Sequence, residues 1–341
     1  MLWIGGRGGI EEEMVRQAGV KFTGLAAGGL RGMALLTTAR NAAQIAGSVA
    51  PARSILLHFK PDVVFVTGGY ACVAVTLAAR TLRIPVVIYL PDVVPGLAIR
   101  FLSRFAARIA VTSEQSVRFF RREKVLVTGY PVRSDILKTN RAEARQALSL
   151  DLEEPTVLVF GGSRGARSIN QALVSGLRRL LPVCQIVHIS GRVDADWVAN
   201  AAKGLPEPLQ RRYHHYAYLH DMPSALVAAD LAVARAGAAT LGEFPAASLP
   251  ALLVPYPHSG QHQQPNADYL ASHGVAKVLS DPELGERLVP GILELLNDRQ
   301  SLARMRLSAR ALARPDAAQA IAEELRLVAL RRVPKETGVQ R

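Results

Sequence analysis

Residues 231–267 read LAVARAGAATLGEFPAASLPALLVPYPHSGQHQQPNA, and this stretch decides the fold. Two short apolar runs, at residues 231–234 and 251–254, flank a segment of helical character. A glycine turn ends the first run, and prolines followed by a polar loop rich in His and Gln end the second. Strand, turn, helix and strand in this order form a βαβ unit, whose loops open at one end of a parallel sheet. The stretch therefore predicts a ligand-binding edge on a parallel sheet.

Thr240 and Glu243 lie three residues apart at the start of the helix in this unit. A carboxylate there can accept hydrogen bonds from both hydroxyls of a ribose, and the free N–H groups of a helix start can bind phosphate oxygens. A second interpretation is an acidic residue that only complements the helix dipole. The pattern by itself leaves both open.

A second glycine turn lies within residues 156–170, TVLVFGGSRGARSIN, after another apolar strand. Gly161, Gly162 and Gly165 allow a sharp turn and a close approach of the backbone to a ligand. Ser163 supplies a hydroxyl, and the helix that follows points its N–H groups at the loop, a geometry that receives a diphosphate. The turn lacks the Lys-Ser/Thr pair of a Walker A loop and is not a strict dinucleotide fingerprint. A purely structural turn is the other interpretation.

Strands and helices alternate along the whole chain of 341 residues, which predicts an α/β protein. We expect two parallel sheets with helices on both faces, one sheet in each half, and a cleft between the halves. The expected domains are residues 1–140 and residues 150–315, followed by a last helix at residues 316–332 that packs back on the first domain.

The formal net charge of +13 suits a nucleic acid, an anionic membrane or a polyanionic substrate. No nucleic-acid-binding motif is present in the sequence, which argues against the first of these partners. Arg100, Arg104 and Arg108 recur every four residues beside Phe101 and Phe105. This spacing predicts a basic amphipathic helix resting on anionic lipid, or the solvated face of a helix packed on the sheet.

The two cysteines, Cys72 and Cys184, lie in apolar segments and are expected to be buried free thiols in a reducing compartment. The sequence shows neither a signal peptide nor an apolar run long enough to span a bilayer. We therefore expect a cytoplasmic protein that touches a membrane surface.

Three further segments carry candidate binding residues. Arg133 follows a Tyr-Pro turn between the halves, where it could clamp a phosphate across the cleft or form a surface ion pair. Asp221 is expected to cap a helix, which places residues 218–220 at a strand end where a backbone amide can bind a base edge. The His and Gln side chains of residues 258–264 lack the spacing of a zinc site and are expected to bind a sugar.

Six segments in order, PDVVFVTGGY, TGYPVRSDI, VFGGSRGARSIN, YLHDM, RAGAATLGE and HQQPNA, resemble the MurG family of peptidoglycan glycosyltransferases over nearly the whole chain. The resemblance implies a GT-B fold, in which two Rossmann-like doubly wound domains face a cleft. It implies inverting transfer of N-acetylglucosamine from UDP-GlcNAc to the muramyl 4-hydroxyl of undecaprenyl-pyrophosphoryl-MurNAc-pentapeptide (lipid I), without a metal or other cofactor. The implied location is the cytoplasmic face of the bacterial cell membrane, as a peripheral protein.

The same resemblance implies a role for each matching residue. Gly162, Ser163 and Arg133 would hold the diphosphate, Leu219 would bind uracil through its backbone, and Glu243 would bind the ribose. The remaining implied contacts are to the phosphates for Ala238, Ala239 and Thr240, and to the sugar hydroxyls for Gln263.

The acceptor side departs from the family pattern. The family begins with a strand and a GGTGGH-type loop whose histidine is a base candidate, whereas this chain begins at the second strand. We therefore expect Met1 to be an internal methionine, because loss of a middle strand leaves unpaired backbone groups at about 1–3 kcal/mol each. The family's HEQN segment reads YLPD here, which makes Asp92 the base candidate, and Gly242 replaces a usual serine. Two other functions stay open: another lipid-directed UDP-sugar glycosyltransferase, or a nucleotide-sugar-binding protein without catalysis.

Overall fold

The computed structural model describes residues 1–6, 11–25, 35–162, 165–257 and 262–331. These residues form two compact units. The first unit comprises the described residues of Met1–Pro91, Pro95–Thr128 and Gln319–Arg341, and the second comprises those of Asp92–Val94 and Gly129–Ala318.

The first unit contains two separate parallel sheets among its described residues. Its strands are β1 (Leu2–Gly6), β2 (Lys21–Leu25), β3 (Val64–Val66), β4 (Val86–Leu90), β5 (Arg108–Val111) and β6 (Val125–Val127). β1 pairs with β2, and the other four pair in the order β3-β4-β5-β6. The expectation of one sheet in this half was therefore wrong for the described residues, because no described strand joins β1 to β3.

Among the described residues, five α-helices accompany these sheets: α1 (Glu11–Gln17), α2 (Leu35–Phe59), α3 (Tyr70–Thr81), α4 (Leu97–Leu102) and the last helix, α15 (Ala317–Leu330), with 3-10 turns at Glu114–Phe119 and Arg122–Lys124. Residues from β1, β3, α3 and α15 line an apolar cavity of about 320 Å³. Ile88, Leu102 and Ile109 are among the fully buried side chains of this unit's core. Among the described residues, no helix has both the length and the apolar character that crossing a membrane requires.

The predicted basic helix through Arg108 is shorter than its spacing indicates. α4 ends at Leu102, and the Ala107 N–H donates to the Val86 carbonyl at 2.8 Å, so the chain has already joined the sheet. Arg108 is the first residue of β5, and its Nε donates to Glu324 Oε1 of α15 at 2.6 Å. The four-residue spacing of arginines thus continues through a turn into a strand.

The second unit is built on one six-stranded parallel sheet in the order β12-β11-β10-β7-β8-β9. Its strands are β7 (Thr156–Phe160), β8 (Gln185–Ile189), β9 (Tyr213–Tyr216), β10 (Leu231–Ala234), β11 (Ala251–Leu253) and β12 (Ala276–Val278). Its helices are α5 (Ser134–Lys138), α6 (Arg141–Ala147), α7 (Arg167–Leu180), α8 (Ala195–Lys203), α9 (Glu207–Gln210), α10 (Met222–Ala228), α11 (Thr240–Ala246), α12 (Gln263–Ser272), α13 (Leu284–Asn297) and α14 (Arg299–Leu312), with a 3-10 turn at Asp281–Glu283.

Both faces of this sheet are buried, as expected of a parallel sheet covered by helices. Successive residues of β7 alternate between two hydrophobic clusters, with Leu158 in one and Val157 and Val159 in the other. The boundary between the units at Thr128–Gly129 lies earlier than residue 140, because α5 and α6 pack on α10 of the second unit. Both cysteines are free thiols, but only Cys184 is buried, and Cys72 is half-buried.

Candidate functional site

The strand order of the second unit's sheet reverses at β7. β8 and β9 continue on one side of β7, whereas β10, β11 and β12 lie on the other. In open parallel sheets, ligands bind outside the carboxyl ends of the strands at such a switch point. The last residues of β7 and β10, Phe160 and Ala234, are register partners. The two glycine turns singled out in the sequence are therefore neighbours at this edge.

The loop after β7 requires its glycines. A Cβ on Gly161 would lie 2.2 Å from the Ala166 amide nitrogen, and one on Gly165 would lie 2.3 Å from the Ser190 carbonyl oxygen. Gly162 has φ of +86°, a left-handed conformation that favours glycine. Its carbonyl accepts a hydrogen bond from the Gly165 N–H at 2.9 Å. Ser163, the predicted hydroxyl donor, lies outside the described residues.

Helix α7 begins directly after this loop, as predicted. Its N-cap is Ala166, whose methyl side chain cannot accept a hydrogen bond from the N–H groups of the first turn. The buried Asn170 amide donates to the Ser190 carbonyl and to Asp194 Oδ2, at 2.9 Å each. Since the Ser190 carbonyl lies against Gly165, Asn170 holds the helix start and the loop in one arrangement.

The buried His188 forms a hydrogen bond with Asn170 and so helps to hold that side chain in place. Burial, with a smaller contribution from His215, lowers the pKa of His188 to about 3, so the ring is neutral at physiological pH. The Asn170 amide nitrogen donates to two acceptors, so its oxygen accepts from His188 Nε2 at 3.0 Å. His188 Nδ1 then accepts from the Tyr213 hydroxyl at 2.6 Å. The hydrogen-bonded chain beneath the loop is therefore fixed in both geometry and tautomer.

The turn after β10 supplies a second set of N–H groups. Within the described part of the chain, the amides of Gly237, Ala238 and Ala239 donate no hydrogen bond. Thr240 begins α11, and its buried hydroxyl donates to the Gly237 carbonyl at 2.7 Å. Its side chain thus holds the turn closed, while the amides before it are available to a ligand.

Glu243 lies on the first turn of α11, next to Thr240 in space. Burial raises the pKa of its carboxyl group, and the positive charge of Arg133 opposes this rise. The pKa of Tyr130 is also raised, by burial and then by the charges of Glu243 and Asp92. The Glu243 carboxylate accepts no hydrogen bond from the described residues, whereas its backbone carbonyl accepts from the Ala247 N–H at 2.9 Å. Arg133 is exposed at the N-cap of α5. The structure therefore brings Glu243 and Arg133 together in one electrostatic cluster.

Leu219 lies in a loop, and Gln263 lies at the start of a helix, at the same edge of the sheet. Leu219 lies between β9 and α10, and its backbone makes no hydrogen bond to the described residues. Asp221 caps α10 as predicted, with Oδ1 accepting from the Ser224 N–H at 3.1 Å. Gln263 is the first residue of α12, and its Oε1 accepts from the Tyr256 N–H at 2.8 Å. That bond orients the Gln263 side chain and leaves its amide nitrogen as a donor.

Two family models match the chain, the glycosyltransferase family 28 N-terminal domain over residues 1–111 and the C-terminal domain over residues 156–321. A UDP-N-acetylglucosamine–N-acetylmuramyl-(pentapeptide) pyrophosphoryl-undecaprenol N-acetylglucosamine transferase of Roseiflexus sp. (strain RS-1) is 42% identical, over 97% of this chain and 84% of the relative. The chain belongs to the MurG family. It is a glycosyltransferase with the GT-B fold.

One further relative and two solved structures are also similar to this chain. A transferase of the same name from Desulforamulus reducens is 37% identical, over 93% of this chain and 87% of the relative. The crystal structure of Acinetobacter baumannii MurG matches with a TM-score of 0.74 and 25% identity, over 95% of this chain and 90% of that chain. A UDP co-structure of Staphylococcus aureus MnaA shares the fold alone, with a TM-score of 0.65 and 14% identity.

In this MurG-family chain, Asp92 is held by a residue that sequence reasoning did not single out. The buried Asn266 donates from Nδ2 to Asp92 Oδ1 at 2.9 Å and to the Ala236 carbonyl at 3.1 Å. Its Oδ1 accepts from the Val93 N–H at 3.0 Å. A buried asparagine with its polar atoms all satisfied is a structural link, and no local pattern in the HQQPNA segment identifies it. Asn170 was missed for the same reason.

Proposed function

We propose that this MurG-family enzyme transfers N-acetylglucosamine from UDP-GlcNAc to the muramyl 4-hydroxyl of undecaprenyl-pyrophosphoryl-MurNAc-pentapeptide, converting lipid I to lipid II. The names of its relatives, at 42% and 37% identity, support this reaction. The observation that carries the donor half is the pair of N–H sets at one sheet edge that have no acceptor among the described residues, with the Glu243 carboxylate, which has no donor among them either, beside the second set.

Each part of the donor substrate, UDP-GlcNAc, has a complementary protein group in the second unit. The diphosphate is placed at the start of α7 and at the amides of Gly237, Ala238 and Ala239, where N–H groups and helix dipoles attract anions. The carboxylate of Glu243 accepts hydrogen bonds from the ribose hydroxyls. Arg133 adds positive charge near the phosphates, and the Leu219 backbone binds the uracil edge. Gln263 donates its amide to the sugar hydroxyls.

The chemical step is a direct displacement with inversion. The muramyl oxygen attacks the anomeric carbon, the bond from that carbon to the diphosphate oxygen breaks, and UDP leaves with the electron pair. The N–H groups stabilise the charge that develops on UDP, which is the largest contribution such a site can make. The proton of the attacking hydroxyl passes to a base, for which Asp92 stays the candidate. Full transfer activity in Asp92→Ala would remove it from this role.

The donor assignment is tested at Glu243. We expect Glu243→Gln to weaken UDP binding by about 10- to 100-fold, since hydrogen bonds to a charged group are worth about 1.5–3 kcal/mol. Titration calorimetry with UDP and with 2′-deoxy-UDP measures this, and the variant should no longer distinguish the two. Glu207→Gln, at an exposed glutamate of α9, is the matched control. Unchanged UDP affinity in Glu243→Gln would contradict the assignment.

The same residue predicts a pH dependence. Because burial raises the pKa of Glu243, its carboxylate takes up a proton at a higher pH than an exposed glutamate does. A protonated carboxyl group is a poorer acceptor for two hydroxyls, so UDP affinity should fall as the pH falls through this raised pKa. Glu243→Gln should lose that part of the pH profile.

We also propose that the enzyme is peripheral to the cytoplasmic face of the membrane, through a basic aromatic patch of the first unit. The patch comprises Leu97, Arg100, Phe101, Arg104, Arg118 and Phe119. Leu97 is 86% exposed, and Arg100 and Arg118 lie over the Phe119 ring at 5.4 and 4.9 Å from its centre. Exposed apolar side chains among cations are suited to anionic lipid headgroups.

Vesicle sedimentation tests the patch. The protein should bind phosphatidylglycerol vesicles but not phosphatidylcholine vesicles, and added salt should weaken binding. Arg104→Glu/Arg118→Glu should reduce binding at least about tenfold, since each cation contributes about 1 kcal/mol. Arg304→Glu, an exposed arginine of α14 in the other unit, is the control. Equal binding of the double variant and the wild type would refute the patch.

A further inference from the structure

We propose that Asp281 is a positioning residue for the donor diphosphate, acting through Arg235 and Ser168 on the two segments that present N–H groups. This inference rests on the proposed function, since it concerns the same phosphate-binding segments. It assigns a role to a residue that lies beyond β12, outside every segment discussed so far as a binding element.

Three side chains form a closed triangle. Arg235 forms an ion pair with Asp281 and donates from Nη2 to Ser168 Oγ at 2.8 Å. The Ser168 hydroxyl donates to Asp281 Oδ1 at 2.9 Å. All three groups therefore have a partner within the triangle.

The triangle joins the two proposed phosphate-binding segments at their bases. Ser168 is the second residue of α7, in the first turn, where no side chain of the N-cap residue accepts a hydrogen bond from the N–H groups. Arg235 directly precedes the turn that carries the amides of Gly237, Ala238 and Ala239. A shift of either corner would move one set of N–H groups relative to the other.

Arg235 is placed to hold the protein rather than to bind the ligand. Its side chain is 10% exposed, and its Nη1 also donates to the Val254 carbonyl at 3.2 Å. Its guanidinium lies over the Tyr256 ring, 5.2 Å from the ring centre. The charge of Arg235 is balanced by Asp281, and its N–H groups are directed to protein acceptors. Arg235 therefore fixes the positions of the neighbouring segments more than it adds to the electrostatic potential at the phosphates. Without Asp281, this nearly buried cation would lose its only counterion among the described residues and would shift toward solvent.

Local structure does not require the Asp281 carboxylate. The 3-10 turn at Asp281–Glu283 is capped by its neighbours, since the Glu283 carboxylate accepts from the Ser280 N–H at 3.3 Å and from the Ser280 hydroxyl. Asp281 instead directs its carboxylate across to Ser168 of α7 and to Arg235, the residue that follows β10. Ser280 and Glu283 therefore cap the turn, whereas Asp281 links segments that are distant in the sequence.

The test compares Asp281→Asn with the wild-type chain of 341 residues. Asparagine keeps an oxygen for the Ser168 hydroxyl but loses the ion pair with Arg235. We expect the dissociation constant for UDP and the KM for UDP-GlcNAc to rise about tenfold, because misplacement by a fraction of an ångström weakens several contacts together. The affinity for uridine and the KM for the acceptor should stay within about twofold, because the inferred role concerns the phosphates only, whereas kcat should also fall, because the same N–H groups stabilise the charge that develops on the departing diphosphate. Asp281→Glu should recover part of the lost affinity.

Glu294→Gln is the matched control, because it removes an ion pair of the same unit in which both partners are exposed. A folded Asp281→Asn with wild-type UDP affinity would overturn the inference. So would an equal loss of uridine and UDP affinity, which would indicate support of the whole unit. If Asp281→Asn is too unstable to study, Ser168→Ala removes the opposite corner and should show the same selective loss for UDP. Failure of the wild-type chain to bind UDP would instead refute the proposed function.

Discussion

Gly242 lies against Tyr130, and this contact explains a departure from the family pattern. A Cβ at position 242 would lie 2.7 Å from Tyr130 Cβ and 2.9 Å from its carbonyl oxygen. Both atoms belong to or adjoin the backbone, so a side-chain rotation cannot relieve the clash. The serine that is usual in the family would therefore displace the segment that leads to Arg133. In this chain, the packing of α11 on residues 129–133 requires a glycine.

Gly242→Ser tests this contact. We expect it to lower the free energy of unfolding by about 1–3 kcal/mol, as overpacking of a close contact does, and to weaken UDP binding by moving Arg133. Urea denaturation and calorimetry measure the two effects. Gly285→Ser is the control, since no atom lies within 4 Å of a Cβ at that exposed position. Wild-type stability in Gly242→Ser would show that the segment can shift freely.

The positions of individual residues could be predicted where they depend on the neighbouring sequence alone. Gly161 and Gly162 follow a strand, and Thr240 and Glu243 open a helix, so strand, turn and helix patterns suffice to locate them. Asp281, Asn170 and Asn266 act on partners far along the chain. Only the fold brings such partners together, so no spacing in the sequence could have identified these residues.

Among the elements, β1 and β3 each have one edge without a paired strand in the described part of the chain. The Val64 N–H donates to the Pro85 carbonyl on the β4 side at 2.9 Å. Since N–H directions alternate along a strand, the Phe65 N–H points to the opposite edge. That edge adjoins the apolar cavity lined by β1, β3, α3 and α15. Apolar walls beside unpaired backbone groups are the features of a sheet edge shaped for a further strand.

Residue-resolved amide exchange tests the unpaired edge. The Phe65 amide should exchange ahead of Val64 and Val66, at an opening free energy near zero, because no hydrogen bond to the described part of the chain has to break first. Val157 and Val159 of β7, a strand paired on both sides, are the control and should be among the slowest. Equal protection of Phe65 and its two neighbours would show that the edge is covered.

The alternation of strands and helices predicted the element order well, because period and glycine turns are local properties. The one-sheet expectation for the first half failed because strand pairing is a long-range property. The helix expected through Arg108 failed for a related reason. A four-residue spacing fits a helix, but the Ala107 N–H had a stronger partner in the Val86 carbonyl of the sheet.

At the scale of the whole molecule, the chain returns to its first unit at the end. From Gln319 onward, α15 belongs to the first unit, where Ile321 and Val328 are buried and Glu324 accepts from Arg108. The second unit is nearly continuous in sequence, with Asp92–Val94 as its one segment from earlier in the chain. The first unit therefore combines segments from both ends of the sequence, whereas the second is built almost entirely from one continuous segment.

This division predicts that damage to α15 acts on the first unit. Ile321→Ser/Val328→Ser should lower that unit's free energy of unfolding by about 2–5 kcal/mol, through cavities and buried hydroxyls, while UDP affinity stays unchanged. Thermal unfolding with and without UDP separates the two transitions, because UDP stabilises only the unit that binds it. Leu330→Ser, at an exposed position of the same helix, is the control. A loss of UDP affinity would show that the units do not respond separately.

The Arg108–Glu324 pair joins residues 216 positions apart, and this has a consequence for biosynthesis. Residues up to Thr128 leave the ribosome first, yet their unit lacks α15 until almost the entire polypeptide has been translated. The later-made unit can close before the earlier one is complete. We expect the nascent amino-terminal portion to need protection from aggregation until α15 has been made, and therefore to be the segment that depends most on chaperones.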